Sequence, residues 1–122
     1  MTEDIPNFSY YRGAKQPHFV TQTERQAAEI LDYHRVPWEY EPRTFILETD
    51  SDGNIVEAFT PDFYLPDLDL YLEVTQMKQS LVTAKNRKVR RLREKYPEIR
   101  IKLFYKHDFV QLAKKYDMSL PS

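Results

Sequence analysis

The five residues Leu70 to Val74, LYLEV, constrain the fold more than any other stretch. Apolar side chains fall on both faces of the strand they predict, which is the pattern of a covered central strand. The segment that follows, KQSLVTAKNRKVRRLREKYPE, reads as a helix stopped by Pro97, and IRIKLFY reads as a further strand. A helix of that length between two strands is a crossover, so IRIKLFY is expected to run parallel to LYLEV.

The upstream half supplies the partners of the central strand. TQTERQAAEILDYHR places Thr21 three residues before Glu24, a capping box, and then Ala27, Ala28, Ile30 and Leu31 on one face, predicting a helix over about 22–35. Pro37 ends it. WEYEPRTFILE, DSDGN and IVEAFTPDFYLP read as two strands around a polar turn, with Pro42 interrupting the first or placing it at an edge. LPDLD is a short turn, and HDFVQLAKKY predicts a last helix. The expected order is αβββαβα, an α/β fold with a mixed sheet. Residues 1–20 show no periodicity and read as an irregular arm, in which Tyr10, Tyr11, Arg12 and Lys15 pack on the domain or touch a nucleic acid. Residues 21–118 read as one domain.

A chain of 122 residues suffices for one modest core. No window approaches the roughly 18 apolar residues of a membrane span, and MTEDIPNFSYY lacks the basic start and apolar run of a secretory signal, so a cytoplasmic protein without a membrane partner is expected. The lack of cysteine excludes disulfides, thiolate catalysis and sulfur-ligated zinc, and His18, His34 and His107 show no ligand spacing. A bound metal would therefore be held mainly by oxygen, which favours Mg²⁺ or Mn²⁺.

Charge is divided along the chain. Residues 1–77 carry five Lys/Arg against fifteen Asp/Glu, a balance of -10, and residues 78–102 carry ten against two, a balance of +8. That polarity suits a protein that chelates a cation and grips a polyanion, and equally suits a solvated basic helix face. Within the acidic half, Glu73 points to the same strand face as Thr75, while Leu72 and Val74 point to the other. A carboxylate inside a covered strand needs a cation or a partner. Asp62 lies late in the preceding strand, and antiparallel pairing alone is not expected to bring it to Glu73, which would take splay or a bend at Pro61.

A helix bearing Glu24, a hairpin ending in Pro61-Asp62, a strand ending in Glu73-Val74-Thr75, then a helix and a strand: this arrangement resembles the PD-(D/E)XK nuclease superfamily over roughly residues 21–106. TPDFYLP followed by YLEV is also similar to small uncharacterised bacterial and phage-type proteins assigned to it. The resemblance implies a restriction-endonuclease-like αβββαβ core and hydrolysis of phosphodiester bonds. It also implies Mg²⁺ or Mn²⁺ ligated by Asp62, Glu73 and the Val74 carbonyl, with Glu24 as an auxiliary carboxylate. Glu24 has a second reading as the far end of its own capping box, and Glu41 is either a further carboxylate of the site or a solvent-facing strand residue.

The chain departs from the superfamily where its lysine would fall, at Thr75, because a hydroxyl supplies no positive charge to a developing phosphorane. Two lysines are candidates to replace it. Lys78 is near in sequence but would point away from Glu73 on a continued strand. Lys85 falls on the helix stripe of Val82, Val89, Leu92 and Tyr96 at about 100° per residue, and either reaches the site or snorkels to solvent. The resemblance supports the former, since the superfamily's lysine also occurs on the following helix. On the same wheel Arg87, Arg90 and Arg91 lie opposite the stripe and Lys88 flanks it. Together with Lys85 they are the candidate nucleic-acid contacts, with DNA favoured over RNA. A domain this small suits a homodimer or a partner protein that supplies specificity. Two other readings stand: a non-catalytic nucleic-acid-binding module of the same fold, and a protein-interaction or regulatory domain.

Overall fold

The computed structural model describes residues 8–75, 79–105 and 108. The elements run α1 (Gln22–Tyr33), β1 (Glu39–Tyr40), β2 (Phe45–Thr49), β3 (Ile55–Phe59), β4 (Phe63–Leu65), β5 (Leu70–Val74), α2 (Gln79–Lys95) and β6 (Ile101–Phe104). They form a four-stranded sheet in the order β1-β4-β5-β6 and a separate ribbon of β2 and β3. The class is mixed α/β as expected, and β5 pairs parallel with β6 across the α2 crossover. The final helix expected from HDFVQLAKKY lies outside the described residues apart from Asp108, and Lys78 lies outside them as well.

The strand count differs from the expectation. Each of the two long strands read upstream of LYLEV is broken in two, so five strands precede α2 rather than three. The first breaks after Tyr40, where Glu41 adopts a left-handed φ of 47° and Pro42 has no N–H to give to a ladder. The second breaks between Phe59 and Phe63, at Thr60-Pro61-Asp62. Both breaks fall at one level of the hairpin, so its distal part leaves the main sheet as the β2–β3 ribbon. The ribbon's turn is held by the Asp50 carboxylate, which accepts from the N–H of Asp52 and of Asn54 at 2.9 Å each, and Gly53 supplies the left-handed residue at φ 85°.

Alternation along β5 divides the core. Leu70, Leu72 and Val74 join Ala27, Ala28 and Leu31 of α1 with Trp38, Phe63, Leu65 and Phe104. Tyr71, on the opposite face, joins Val89 and Leu92 of α2, Ile101, and Phe45, Leu47 and Phe59 of the ribbon. All five residues of β5 are buried, as a central strand requires. Each fully buried large side chain here contributes about 1.5–3 kcal/mol of transfer free energy.

The arm is ordered against the first of these clusters. The Tyr10 carbonyl accepts from Trp38 N–H at 3.0 Å, and Arg12 N–H donates to the Trp38 carbonyl at 2.7 Å. The Asp32 carboxylate at the end of α1 accepts from the N–H groups of Ser9 and Tyr10 and from the Trp38 indole. Phe8, Tyr10, Tyr11 and Phe19 pack against the α1-side core, so packing on the domain is the role these aromatics have in the structure.

Candidate active site

The site forms where β4 begins and β5 ends. Antiparallel register pairs Phe63 with Leu72 and Tyr64 with Tyr71, and one step further along places Asp62 opposite Glu73. The chain bends at Asp62, next to Pro61, but the pairing itself brings the two carboxylates together. Asp62 N–H donates to Glu73 Oε1 at 3.1 Å, and Val74 N–H donates to Asp62 Oδ2 at 2.9 Å. Both side chains are only 6% exposed.

Lys85 completes the cluster from the first half of α2. Its ammonium donates to the Val74 carbonyl at 2.5 Å and lies 3.4 Å from Glu73 Oε2. The Lys85 side chain remains 26% exposed, so it reaches the buried Glu73 carboxylate from a partly open position. The helix stripe therefore turns Lys85 to Glu73 and not away from it. Thr75 is buried at 3% exposure, and its N–H donates to the Phe104 carbonyl at 2.9 Å, extending the β5–β6 pairing one residue.

Burial dominates the electrostatics. It pushes the Asp62 carboxyl above the usual carboxylate range, with the neighbouring Glu73 charge adding to the rise and the Val74 N–H opposing it. Glu73 is raised for the same first reason, and Lys85 is the main influence holding it down. Two carboxylates and one ammonium leave this pocket short of positive charge.

Glu24, also 6% exposed, stands apart from that pair. Its N–H donates to Thr21 Oγ1 at 3.1 Å, so Thr21 caps the helix, while its carboxylate accepts from the Thr21 hydroxyl at 3.3 Å and from the Tyr40 phenol at 2.6 Å. Its charge nevertheless helps to raise Asp62. Glu41 is exposed; partial desolvation raises its carboxyl, with Glu24 adding to the rise, and its N–H donates to the Asp62 carbonyl at 2.8 Å. Tyr40 was not singled out by the sequence, because a tyrosine in a short strand carries no motif. Beside it, a cleft of about 320 Å³ opens between the arm and β1, lined by Tyr11, Lys15, Glu39, Tyr40, Glu41 and Pro42 among others.

Among the described residues, no group of three or more acidic or histidine side chains is placed to hold a metal ion. Asp62, Glu73 and the Val74 carbonyl do form an all-oxygen donor set at one point, chemically suited to a hard divalent cation with water completing its shell. The Glu24 carboxylate accepts from Tyr40 and Thr21, and its charge acts on Asp62.

The basic face of α2 is less open than the helical wheel implies. Arg87 makes a two-pronged contact with Glu57 of the ribbon, at 2.7 and 3.4 Å. Arg91 reaches Glu57 at 3.0 Å, Glu48 at 3.5 Å and the Leu47 carbonyl at 3.4 Å. Lys88 lies over the Phe59 ring, and Arg90 is exposed. No helix among the described residues is long and apolar enough to cross a membrane. Compared with protein-family models, with curated proteins and with solved structures, the chain finds no significant match.

Proposed function

We propose that the protein is a divalent-metal-dependent nuclease of the PD-(D/E)XK type acting on nucleic acid, with DNA favoured over RNA. One observation carries this reading: two buried carboxylates, Asp62 and Glu73, meet beside the Val74 carbonyl with a lysine from the next helix against them. Buried like charges are costly, and a fold that needed only stability would be served as well by apolar side chains of similar volume. Asp62, Glu73 and the Val74 carbonyl would hold Mg²⁺ or Mn²⁺, which when bound would polarise a phosphoryl oxygen and acidify a water. Lys85 brings to this place the positive charge that Thr75 lacks, within reach of a phosphate at the mouth of the site. Arg90 and the arginines that face the ribbon offer charge for the neighbouring backbone phosphates.

The test is cleavage of a panel covering supercoiled plasmid, linear duplex, branched DNA, single strands and structured RNA, in Mg²⁺ and in Mn²⁺, beside Asp62→Ala and Glu73→Ala. The expected result is metal-dependent cleavage that both substitutions abolish and that names the substrate class. A second reading, a nucleic-acid-binding module without catalysis, is favoured by Thr75, which stands where the superfamily's lysine would fall. Binding without cleavage of any substrate in either metal, unchanged by the two substitutions, would replace the nuclease with that module.

A further inference from the structure

We infer that Lys85 is an internal competitor for the metal position, so that a divalent ion and the Lys85 ammonium occupy the Glu73 and Val74 oxygens in turn. This rests on the metal-binding reading above and adds to it a device that regulates the same site. Two of the three expected ligands, Glu73 Oε2 and the Val74 carbonyl, are the two atoms that the Lys85 ammonium contacts, at 3.4 and 2.5 Å. The third, Asp62, has Oδ2 held by Val74 N–H. Oxygens bound to Mg²⁺ lie about 2.0–2.1 Å from it, so an ion that takes both oxygens sets a divalent charge close against the ammonium that holds the same two atoms and repels it.

The displaced ammonium has somewhere to go. Lys85 sits on a flexible four-carbon stem and is already 26% exposed, so a rotation about that stem carries its charge out of the pocket and into water. In the absence of metal it neutralises Glu73; with metal bound it is released at the mouth of the site, where a substrate phosphate would meet it. Metal and polyanion binding are then linked, because a phosphate that holds the displaced ammonium removes the competitor and tightens the metal, and the reverse holds by reciprocity.

The experiment is calorimetric titration of Mn²⁺ into the full chain as wild type, Lys85→Met, Lys85→Gln and Asp62→Asn. Folding of each variant is checked by circular dichroism. In parallel, Mg²⁺ is titrated into the isotopically labelled wild type while the Lys85 side-chain Nζ and Cε resonances are followed. The expected result is about tenfold tighter Mn²⁺ binding in both Lys85 variants, no binding in Asp62→Asn, and Lys85 resonances that move in step with metal saturation. Equal or weaker binding in the Lys85 variants, or Lys85 resonances that stay fixed while the wild type binds metal, would overturn the competition and leave the metal site standing. No binding by the wild type or by either Lys85 variant would overturn the metal-binding reading and the competition with it. The resonance titration needs no substitution, so it decides the matter even where a Lys85 variant fails to fold.

Discussion

Two charged clusters border α2, and they behave in opposite ways. Near its start, the buried carboxylates of Asp62 and Glu73 face the single ammonium of Lys85, and burial raises both carboxyls. Further along, the carboxylates of Glu57 and Glu48 face the guanidinium groups of Arg87 and Arg91, and the hydrogen bond from Arg87 lowers Glu57. Both clusters pair carboxylates with basic side chains, but the first lacks positive charge where water is scarce, and the second balances it where water screens it. The first demands a further cation or a proton. The second is satisfied as it stands and ties the ribbon to the helix.

The largest expected effect follows from that difference. Lys85→Ala removes the only cation contacting the buried pair among the described residues and is expected to lower cleavage by about 10²–10³-fold, the size associated with losing one preorganised charge at a reacting oxyanion. Rate and substrate affinity should be measured together in single-turnover assays, since a loss confined to affinity would make Lys85 a binding residue and remove the proposed catalytic contrast between the clusters.

Much of the first cluster was legible in the sequence. The alternation of LYLEV correctly turns Glu73 away from Leu72 and Val74, and the helical wheel correctly turns Lys85 inward, because burial enforces both periodicities. The meeting of Asp62 with Glu73 was legible too, though a bend was expected to cause it: with Leu65 and Leu70 closing a four-residue turn, antiparallel counting alone sets 62 across from 73. The two strand breaks were legible only as the hints of Pro42 and Pro61. The second cluster was not legible either. Arg87 and Arg91 lie 30 and 34 residues from Glu57, and a wheel drawn for an isolated helix cannot show that a ribbon will reach its outer face. Tyr40 was missed for a similar reason, since its hydrogen bond to Glu24 spans 16 residues.

A stability measurement sharpens the comparison next. Raised carboxyls mean that the folded protein holds protons which the unfolded chain releases between the ordinary carboxylate range and the raised values. Stability contributed by the buried pair is therefore greatest at acidic pH and falls as pH rises through that window. The groups that set it are Asp62 ahead of β4, Glu73 on β5, Glu24 on α1 and Lys85 on α2. Asp62→Asn keeps an oxygen for Val74 N–H and removes one of the two like charges. It should stabilise the fold by about 1–2 kcal/mol at pH 8 and flatten the decline from pH 5 to pH 8, as read by urea unfolding. A variant less stable than wild type at pH 8 would mean that the pair is not under charge repulsion.

The smallest expected effect tests the second cluster. Glu57→Gln withdraws the carboxylate that holds Arg87 and Arg91, leaving Arg91 with Glu48 and the Leu47 carbonyl and leaving Arg87 exposed on the helix. Exposed ion pairs contribute little to stability, so unfolding should change only slightly. Nucleic-acid binding should change more. Each arginine released to a phosphate steepens the fall of log affinity with log salt by about 0.9 for duplex DNA, so the variant should bind more tightly at low salt with a slope steeper by about 1–2. Fluorescence anisotropy with a labelled duplex over a salt series reads this directly. An unchanged slope would mean that the arginines already leave Glu57 when nucleic acid binds, and that the ribbon clamp opens at no measurable cost. A weaker affinity with a shallower slope would place the contact surface on the ribbon and not on the arginine face of α2.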